Sequence, residues 1–107
     1  MSFRKLEVYQ ISLRFLALAV RIGATIPAGY PDLRDQLRRA STSVPVNIAE
    51  GSGKTTEPDR QRFYAIARGS AMECAALLDV CRVVGHPDTA TLGEGDTLWG
   101  SIVRMLS

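Results

Sequence analysis

Gly53, Lys54 and Thr55 follow one another in the sequence and mimic the end of a phosphate-binding P-loop. In that motif the backbone N–H groups of a glycine-rich turn surround the phosphates, and the lysine reaches toward them. The motif needs a glycine five residues before Gly53, where this chain has Ile48. It also needs a preceding strand, whereas the residues before this turn have helical spacing. The sequence therefore argues against nucleotide hydrolysis here and leaves only loose anion binding at a helix N-terminus.

Residues suited to acid–base, nucleophilic or metal chemistry are few and scattered. His86, the only histidine, lies in a turn with no evident partner, so we expect it to be exposed to solvent. Cys74 and Cys81 are seven residues apart on a predicted helix, about 10 Å along its axis, which is too far for a disulfide. No CxxC, Cys/His cluster or Glu-x-x-His spacing is present. We expect reduced core thiols, a cytoplasmic protein, no metal or cofactor, and no enzymatic activity.

Arginine and lysine residues give the clearest functional signal. The net charge is only +2, but residues 1–70 carry +5 and residues 71–107 carry −3. A basic surface of this kind is suited to the phosphates of nucleic acid. The candidate nucleic-acid-binding residues are Arg38, Arg39, Lys54, Arg60 and Arg68, and Tyr64 is a candidate for base stacking.

How these residues meet depends on the pairing of the two central helices. If the chain folds back around its glycine-rich turn, Arg38 and Arg39 come to the level of Arg68, and three guanidinium groups share a neighbourhood. The alternative, which the sequence leaves open, is that Asp35 and Glu73 neutralise these arginines as a solvated ion-pair network.

The first arginine pair belongs to a segment, residues 36–54, with the sequence QLRRASTSVPVNIAEGSGK. Its apolar residues, together with the preceding Leu33, recur at spacings of three and four, which predicts one face of a helix. Pro45 lacks an N–H and should kink this helix, and the hydroxyl residues just before it can satisfy backbone groups that the kink frees. Gly51 and Gly53 should then end the helix.

Two stretches of the sequence resemble the four-helix-bundle family of intervening-sequence proteins. They are Q-L-R-R-A-S-x-S-V-P-x-N-I-A-E-G in this segment and F-Y-x-x-A-R-G-S-A-x-E at residues 63–73. Those proteins are encoded within insertions in bacterial large-subunit ribosomal RNA genes, and their relatives include accessory proteins of diversity-generating retroelements. The similarity extends from Leu6 to about Leu106. It implies a ring of five subunits and RNA or DNA as a ligand. Within the motif, the residues of structural interest are Pro45, Asn47, Glu50 and Gly51.

Periodicity and turn residues predict one domain over residues 1–107, an all-α, antiparallel up-down four-helix bundle. The first helix should run from about Phe3 to Ile26, the second over residues 31–50, and the third from a cap at Thr55 or Thr56 to about Val84. A fourth follows the turn at residues 85–88. The predicted core stripe of the third helix is Phe63, Ile66, Ser70, Cys74, Leu77, Cys81 and Val84.

The first helix carries two apolar stripes, whereas a helix in a small monomeric bundle needs only one. We expect one stripe to face the core and the other a second subunit. The spacing does not decide which is which, and the interface is assigned to Val8, Ile11, Phe15, Leu18 and Ile22. Glu7, Gln10, Arg14 and Arg21 leave only residues 15–20 as a continuous apolar run, so we do not expect the helix to span a membrane.

Asn47 and Glu50 lie three residues apart on one helix face near the glycine-rich turn. If they are buried, they need partners, and Asp59, Arg60 and Gln61 on the next helix should be at the right level. We interpret the pair as a polar clamp that fixes the helical hairpin.

Two functional hypotheses follow. The first is a non-catalytic, homo-oligomeric helical bundle that binds structured RNA or DNA through a repeated basic surface. The second is a protein-interaction adaptor or scaffold, for example for a reverse transcriptase, with no direct nucleic-acid contact.

Overall fold

Three of the four helices begin at a residue whose side chain caps the helix. Ser2, Thr56 and Asp88 each accept a hydrogen bond from the backbone N–H three residues on, which satisfies one of the free N–H groups of the first turn. The computed structural model describes residues 1–107. Its helices are α1 (Phe3–Ala24), α2 (Pro31–Ser52), α3 (Glu57–Val83) and α4 (Thr89–Met105), with no strand. The predicted all-α, four-helix fold is confirmed.

Contacts between neighbouring helices show that they run antiparallel. The Ser43 and Ser70 hydroxyl oxygens are 2.8 Å apart, and the Ser52 hydroxyl lies 3.1 Å from the Tyr64 hydroxyl. Residue numbers therefore fall along α3 as they rise along α2. The start of α1 likewise meets the end of α4, where Arg4 Nε donates to the Met105 carbonyl at 3.0 Å. Because the backbone of α1 lies next to α2 and α4 but not next to α3, α1 and α3 occupy opposite corners of an up-down bundle.

The α1 stripe that was predicted to form the oligomer interface lies in the core of the bundle. That assignment was wrong, because these side chains fill the space between α1 and its neighbours within a single chain. The buried residues are Val8, Ile11, Phe15, Leu18 and Ile22, none more than 8% exposed. The other stripe points outward instead, with Leu13 exposed by 41% and Val20 by 60%.

The core stripe of α3 is shifted by one residue in its first half. Tyr64 is buried in place of Phe63, and Ile66, a predicted core residue, is 46% exposed. The cause lies on α2, where a Cβ at Gly51 would be only 2.7 Å from Tyr64 Cε1. The missing side chain opens the space that the Tyr64 ring fills. In the second half of the helix, Cys74, Leu77 and Cys81 are buried as predicted, and Val84 is half-buried.

Helix α2 continues through both residues that were expected to disturb it. It runs through Pro45 and Gly51 to Ser52, so Gly51 does not end the helix but permits close packing. The hydroxyls before Pro45 do bond backbone carbonyls: Ser41 donates to Leu37 at 2.6 Å and Thr42 to Arg38 at 2.7 Å. These carbonyls lie one turn upstream of the one that Pro45 leaves without a donor.

Candidate nucleic-acid interface

Arg38 and Arg39 lie on the outer surface of α2 and share one carboxylate. Arg38 Nη2 is 2.6 Å from Asp35 Oδ1, and Arg39 Nε is 3.4 Å from Asp35 Oδ2. The hydrogen bond from Arg38 is the main cause that lowers the pKa of Asp35. Both arginine side chains remain 64% exposed. The pairing with Asp35 follows the ion-pair alternative, and the arginines stay accessible to solvent.

Arg68 does not join this pair, so the predicted meeting of three guanidinium groups was wrong. The Ser43–Ser70 contact places Arg68, two residues before Ser70, level with residue 45 of α2. Arg38 and Arg39 are then about 10 Å away along the helix axis. The two helices pair around a point later in the sequence than expected, because α2 extends to Ser52 and α3 begins only at Glu57.

Lys54 and Arg60 lie together at the turn between α2 and α3, each with a carboxylate. Lys54 Nζ is 3.7 Å from Glu50, and Arg60 Nη2 is 2.8 Å from Glu57. Arg60 also donates to the Lys54 carbonyl at 3.1 Å, which ties the first turn of α3 to the loop. Bonds from Gln61 and then from Arg60 lower the pKa of Glu57.

The polar clamp predicted for Asn47 and Glu50 does not form. The Asn47 amide donates to the Ser43 carbonyl and hydroxyl within α2, and Glu50 pairs with Lys54. The Ser43–Ser70 and Ser52–Tyr64 hydroxyl contacts connect the two helices instead. Tyr64 is only 5% exposed, so it is not available for base stacking.

Eight cationic side chains have no carboxylate partner, and most of them collect at one end of the bundle. The paired ones are Arg38, Arg39, Lys54, Arg60 and Arg82. The unpaired ones are Arg4, Lys5, Arg14, Arg21, Arg34, Arg62, Arg68 and Arg104. We call the end formed by residues 1–7, 50–68 and 104–107 the cationic end.

Direct contacts join the three segments of the cationic end. Arg4 donates to the carbonyls of Met105 and Arg104 at 3.0 and 3.3 Å. Lys5 Nζ lies 4.5 Å from the centre of the Tyr64 ring, and Arg68 Nε donates to Ser107 at 3.1 Å. Burial, followed by the charge of Arg4, lowers the pKa of Lys5.

Net positive charge is confined to this end. It holds seven of the 13 Lys and Arg residues and four of the 11 Asp and Glu residues, a balance of +3, while the rest of the chain carries −1. Arg4, Lys5, Arg62 and Arg104 were not among the predicted binding residues. The available signal was topological: in an up-down bundle of four helices, both chain ends meet the middle turn at the same end.

Residues 4–107 match the family model described as 23S rRNA-intervening sequence protein. The chain belongs to that family. This confirms the resemblance drawn from the central motif. A search of curated proteins gives no match.

In this intervening-sequence protein, α1 and α3 each expose a set of apolar residues among polar ones. The α1 face comprises Leu6, Leu13 and Val20, with Val46 of α2 beside it across a groove of about 500 Å³. The α3 face comprises Ala65, Ile66, Gly69, Met72, Ala76, Val80 and Val83, all exposed, with Val83 at 86%. The two faces lie on opposite corners of the bundle. No helix combines the length and apolar character needed to span a membrane.

His86 is buried, in contrast to the exposed turn residue that was predicted. Its Nε2 lies 2.9 Å from both the Ile22 carbonyl and the Thr25 hydroxyl, and its Nδ1 accepts from the Asp88 N–H at 3.1 Å. Because Nδ1 is an acceptor, the ring proton is assigned to Nε2. The turn at Gly85, where φ is +88°, folds the imidazole under the end of α1. His86 therefore ties two loops together in the family fold.

Both cysteines are buried and unpaired with each other. Burial raises the pKa of Cys74 to about 12, with a smaller effect of Glu73, and burial also raises the pKa of Cys81. Thiols held in their protonated form are poor nucleophiles and poor metal ligands. No three His, Cys, Asp or Glu side chains come together in an arrangement that could hold a metal ion.

Proposed function

We propose that this chain is a non-catalytic, homo-oligomeric helical bundle that binds nucleic acid through phosphate contacts. The observation that carries the proposal is the cationic end, where five cations without carboxylate partners accompany Lys54 and Arg60. The family description refers to 23S rRNA, so structured RNA is the first ligand to test and DNA the second. Arg68 is one of these five cations, and the proposed contacts also include Arg38 and Arg39 of α2.

The ion pairs of Arg38, Arg39 and Arg60 do not argue against this role. An exposed pair between Arg and a carboxylate contributes only about 0–1 kcal/mol, because water and salt screen it. Phosphate oxygens accept the same bidentate hydrogen bonds as a carboxylate. A polyanion that brings many phosphates at once can therefore displace Asp35 or Glu57 from their arginines.

Oligomerisation is supported by the two apolar faces. They differ in sequence and lie on opposite corners of the bundle, so the α1 face of one subunit can pack on the α3 face of the next. Such a head-to-tail contact is heterologous, and it closes into a ring when the rotation per subunit allows. The small residues Gly69 and Ala76 allow close approach of a helix. A ring repeats the cationic end, and simultaneous engagement raises apparent affinity without a new type of contact. Five subunits is the number that the resemblance implies.

Salt-dependent binding tests the nucleic-acid part of the proposal. Binding of the protein to a structured RNA should weaken linearly on a log–log plot as salt rises, because phosphate contacts release counterions. Replacing Arg62 and Arg68 by Gln should flatten that slope, as should replacing Arg38 and Arg39. Arg82→Gln is the matched control, because Arg82 pairs with Asp79 and Asp96 away from the cationic end. Equal slopes for all three variants and the parent would refute phosphate binding at these sites.

The adaptor function, with a reverse transcriptase as one candidate partner, is favoured by the same apolar faces. If it is correct, an apolar face remains open in the isolated protein and is covered only by a second protein. Co-purification separates the two functions. Recovery of nuclease-sensitive RNA with a homo-oligomer supports the first, and a stoichiometric second protein with no nucleic acid supports the adaptor.

A further inference from the structure

The cationic end carries an aromatic side chain that is almost fully exposed. Phe3, the first residue of α1, is 92% exposed and directly precedes Arg4 and Lys5. The other two aromatic residues at this end are already engaged. Phe63 has Lys54 Nζ and the Arg62 guanidinium carbon each 4.9 Å from its ring centre. Tyr64 is buried beneath Lys5.

The Phe3 ring is therefore exposed at the end of the bundle where five cations have no carboxylate partner. The Arg4 side chain is held along the last turn of α4 by its bonds to the Met105 and Arg104 carbonyls, and Arg4 follows Phe3 directly in α1. Exposure of an apolar ring to water at this end does not stabilise the isolated chain. An exposed aromatic residue among cations is, however, the combination with which proteins hold unstacked bases and their phosphates.

We propose that Phe3 and the cationic end form a site for unpaired nucleotides of RNA or DNA, in which the Phe3 ring stacks on a base and the surrounding arginines contact the flanking phosphates. The inference rests on the proposed nucleic-acid-binding function and adds the class of ligand. Single strands, loops and bulges present a free base face, whereas the bases of a continuous duplex are stacked on one another. The site therefore selects unpaired segments over duplex.

The test compares two probes, a short unstructured single-stranded RNA and a perfect duplex of the same length, at one salt concentration. Fluorescence anisotropy gives the affinity of the parent and of Phe3→Leu, which keeps an apolar side chain but removes the aromatic face. Loss of one base stack should weaken single-strand binding about five-fold or more and leave duplex binding unchanged. Phe3→Trp should restore single-strand binding. Tyr30→Leu is the control, because Tyr30 is 44% exposed at the opposite end of the bundle.

A second pair of substitutions tests whether single-stranded nucleic acid binds at the cationic end. Arg62→Gln with Arg104→Gln should reduce the salt dependence of single-strand binding, whereas Phe3→Leu should lower the affinity with an unchanged salt slope. Light scattering on each variant establishes that the oligomer mass is that of the parent.

Three results would overturn the inference. They are single-strand binding by Phe3→Leu as tight as that of the parent, an equal loss for Tyr30→Leu, or a parent protein that prefers duplex. Each of these leaves the proposed function standing, since nucleic acid is still bound. A parent that binds neither these probes nor a structured RNA at low salt removes the proposed function and this inference together.

Discussion

Gly51 is the point at which one missing side chain decides how α2 and α3 pack, and Gly51→Ala tests this. A Cβ built there lies 2.7 Å from Tyr64 Cε1, 2.9 Å from Tyr64 Cδ1 and 3.1 Å from Phe63 Cβ. The ring cannot easily withdraw, because it is buried, its hydroxyl contacts Ser52, and Lys5 lies over its face. Overpacking of this kind costs about 1–3 kcal/mol.

The helix propensity of Ala opposes this loss, since Ala is about 1 kcal/mol better than Gly in a helix interior. Gly93→Ala supplies the matched control, because Gly93 is an exposed residue within α4 where an added Cβ would have no neighbour within 4 Å. The gain in helix propensity is the same in both variants. The difference between their free energies of unfolding, about 1–3 kcal/mol, therefore measures the clash alone. Gly93→Ala should be more stable than the parent.

Thermal unfolding followed by far-ultraviolet circular dichroism, at one protein concentration, measures the difference. For a domain near this size 1 kcal/mol corresponds to about 4–8 °C, so the two variants should melt at least about 4 °C apart. Tyr64→Leu provides a second check, because Gly51→Ala should be less harmful when the ring is absent. If Gly51→Ala melts as high as Gly93→Ala, the close approach of Tyr64 is not what requires glycine at this position.

Three further predictions concern assembly and the buried polar residues. Leu13→Glu in the α1 face should lower the mass seen by light scattering without loss of helical signal, because a charge buried at an interface without a partner is costly; Ala90→Glu, on the exposed first turn of α4, is the control and should keep the parent mass. Cys74 and Cys81 should react with a thiol reagent at neutral pH only on unfolding, and rapid labelling of the native protein would contradict their burial. His86→Ala should destabilise the fold by about 1–3 kcal/mol in denaturant unfolding, since it removes the acceptor for the Asp88 N–H and the donor to the Ile22 carbonyl; an unchanged midpoint would mean that these bonds contribute nothing net.

The sequence predicted the number of helices and their approximate ends, because these depend on local signals such as caps, turns and periodicity. Ser2, Thr56 and Asp88 act as caps as their residue types suggest. It did not predict which stripe of α1 is buried. Both stripes are apolar, and the choice depends on whether Phe15 or Leu13 fits the space that α2 and α4 leave.

The register in which α3 packs against α2 also could not be predicted from the sequence. A helix that turns by one residue about its axis buries a different stripe, and the spacing of apolar residues fits either stripe almost equally well. In α3, the absence of a Cβ at Gly51 leaves space for Tyr64, so Tyr64 is buried in place of Phe63. The level of Arg68 relative to Arg38 was misjudged for a separate reason, because α2 extends to Ser52 and α3 begins only at Glu57. His86 was misjudged because its partners Ile22 and Thr25 lie more than 60 residues away in sequence.

The cationic end places like charges together, which by itself opposes folding. Aromatic rings beneath the cations offset part of this repulsion: Lys5 lies over Tyr64, and Lys54 and Arg62 lie over Phe63. The Tyr64 ring can hold Lys5 only because Gly51 lets it pack against α2. The four carboxylates at this end leave a balance of +3, and anions from outside the chain can relieve the repulsion that remains. Salt or a bound polyanion should therefore raise the melting temperature of the parent more than that of an Arg62→Gln, Arg104→Gln variant. An equal rise in both would show that the charges at this end are too widely spaced to repel one another.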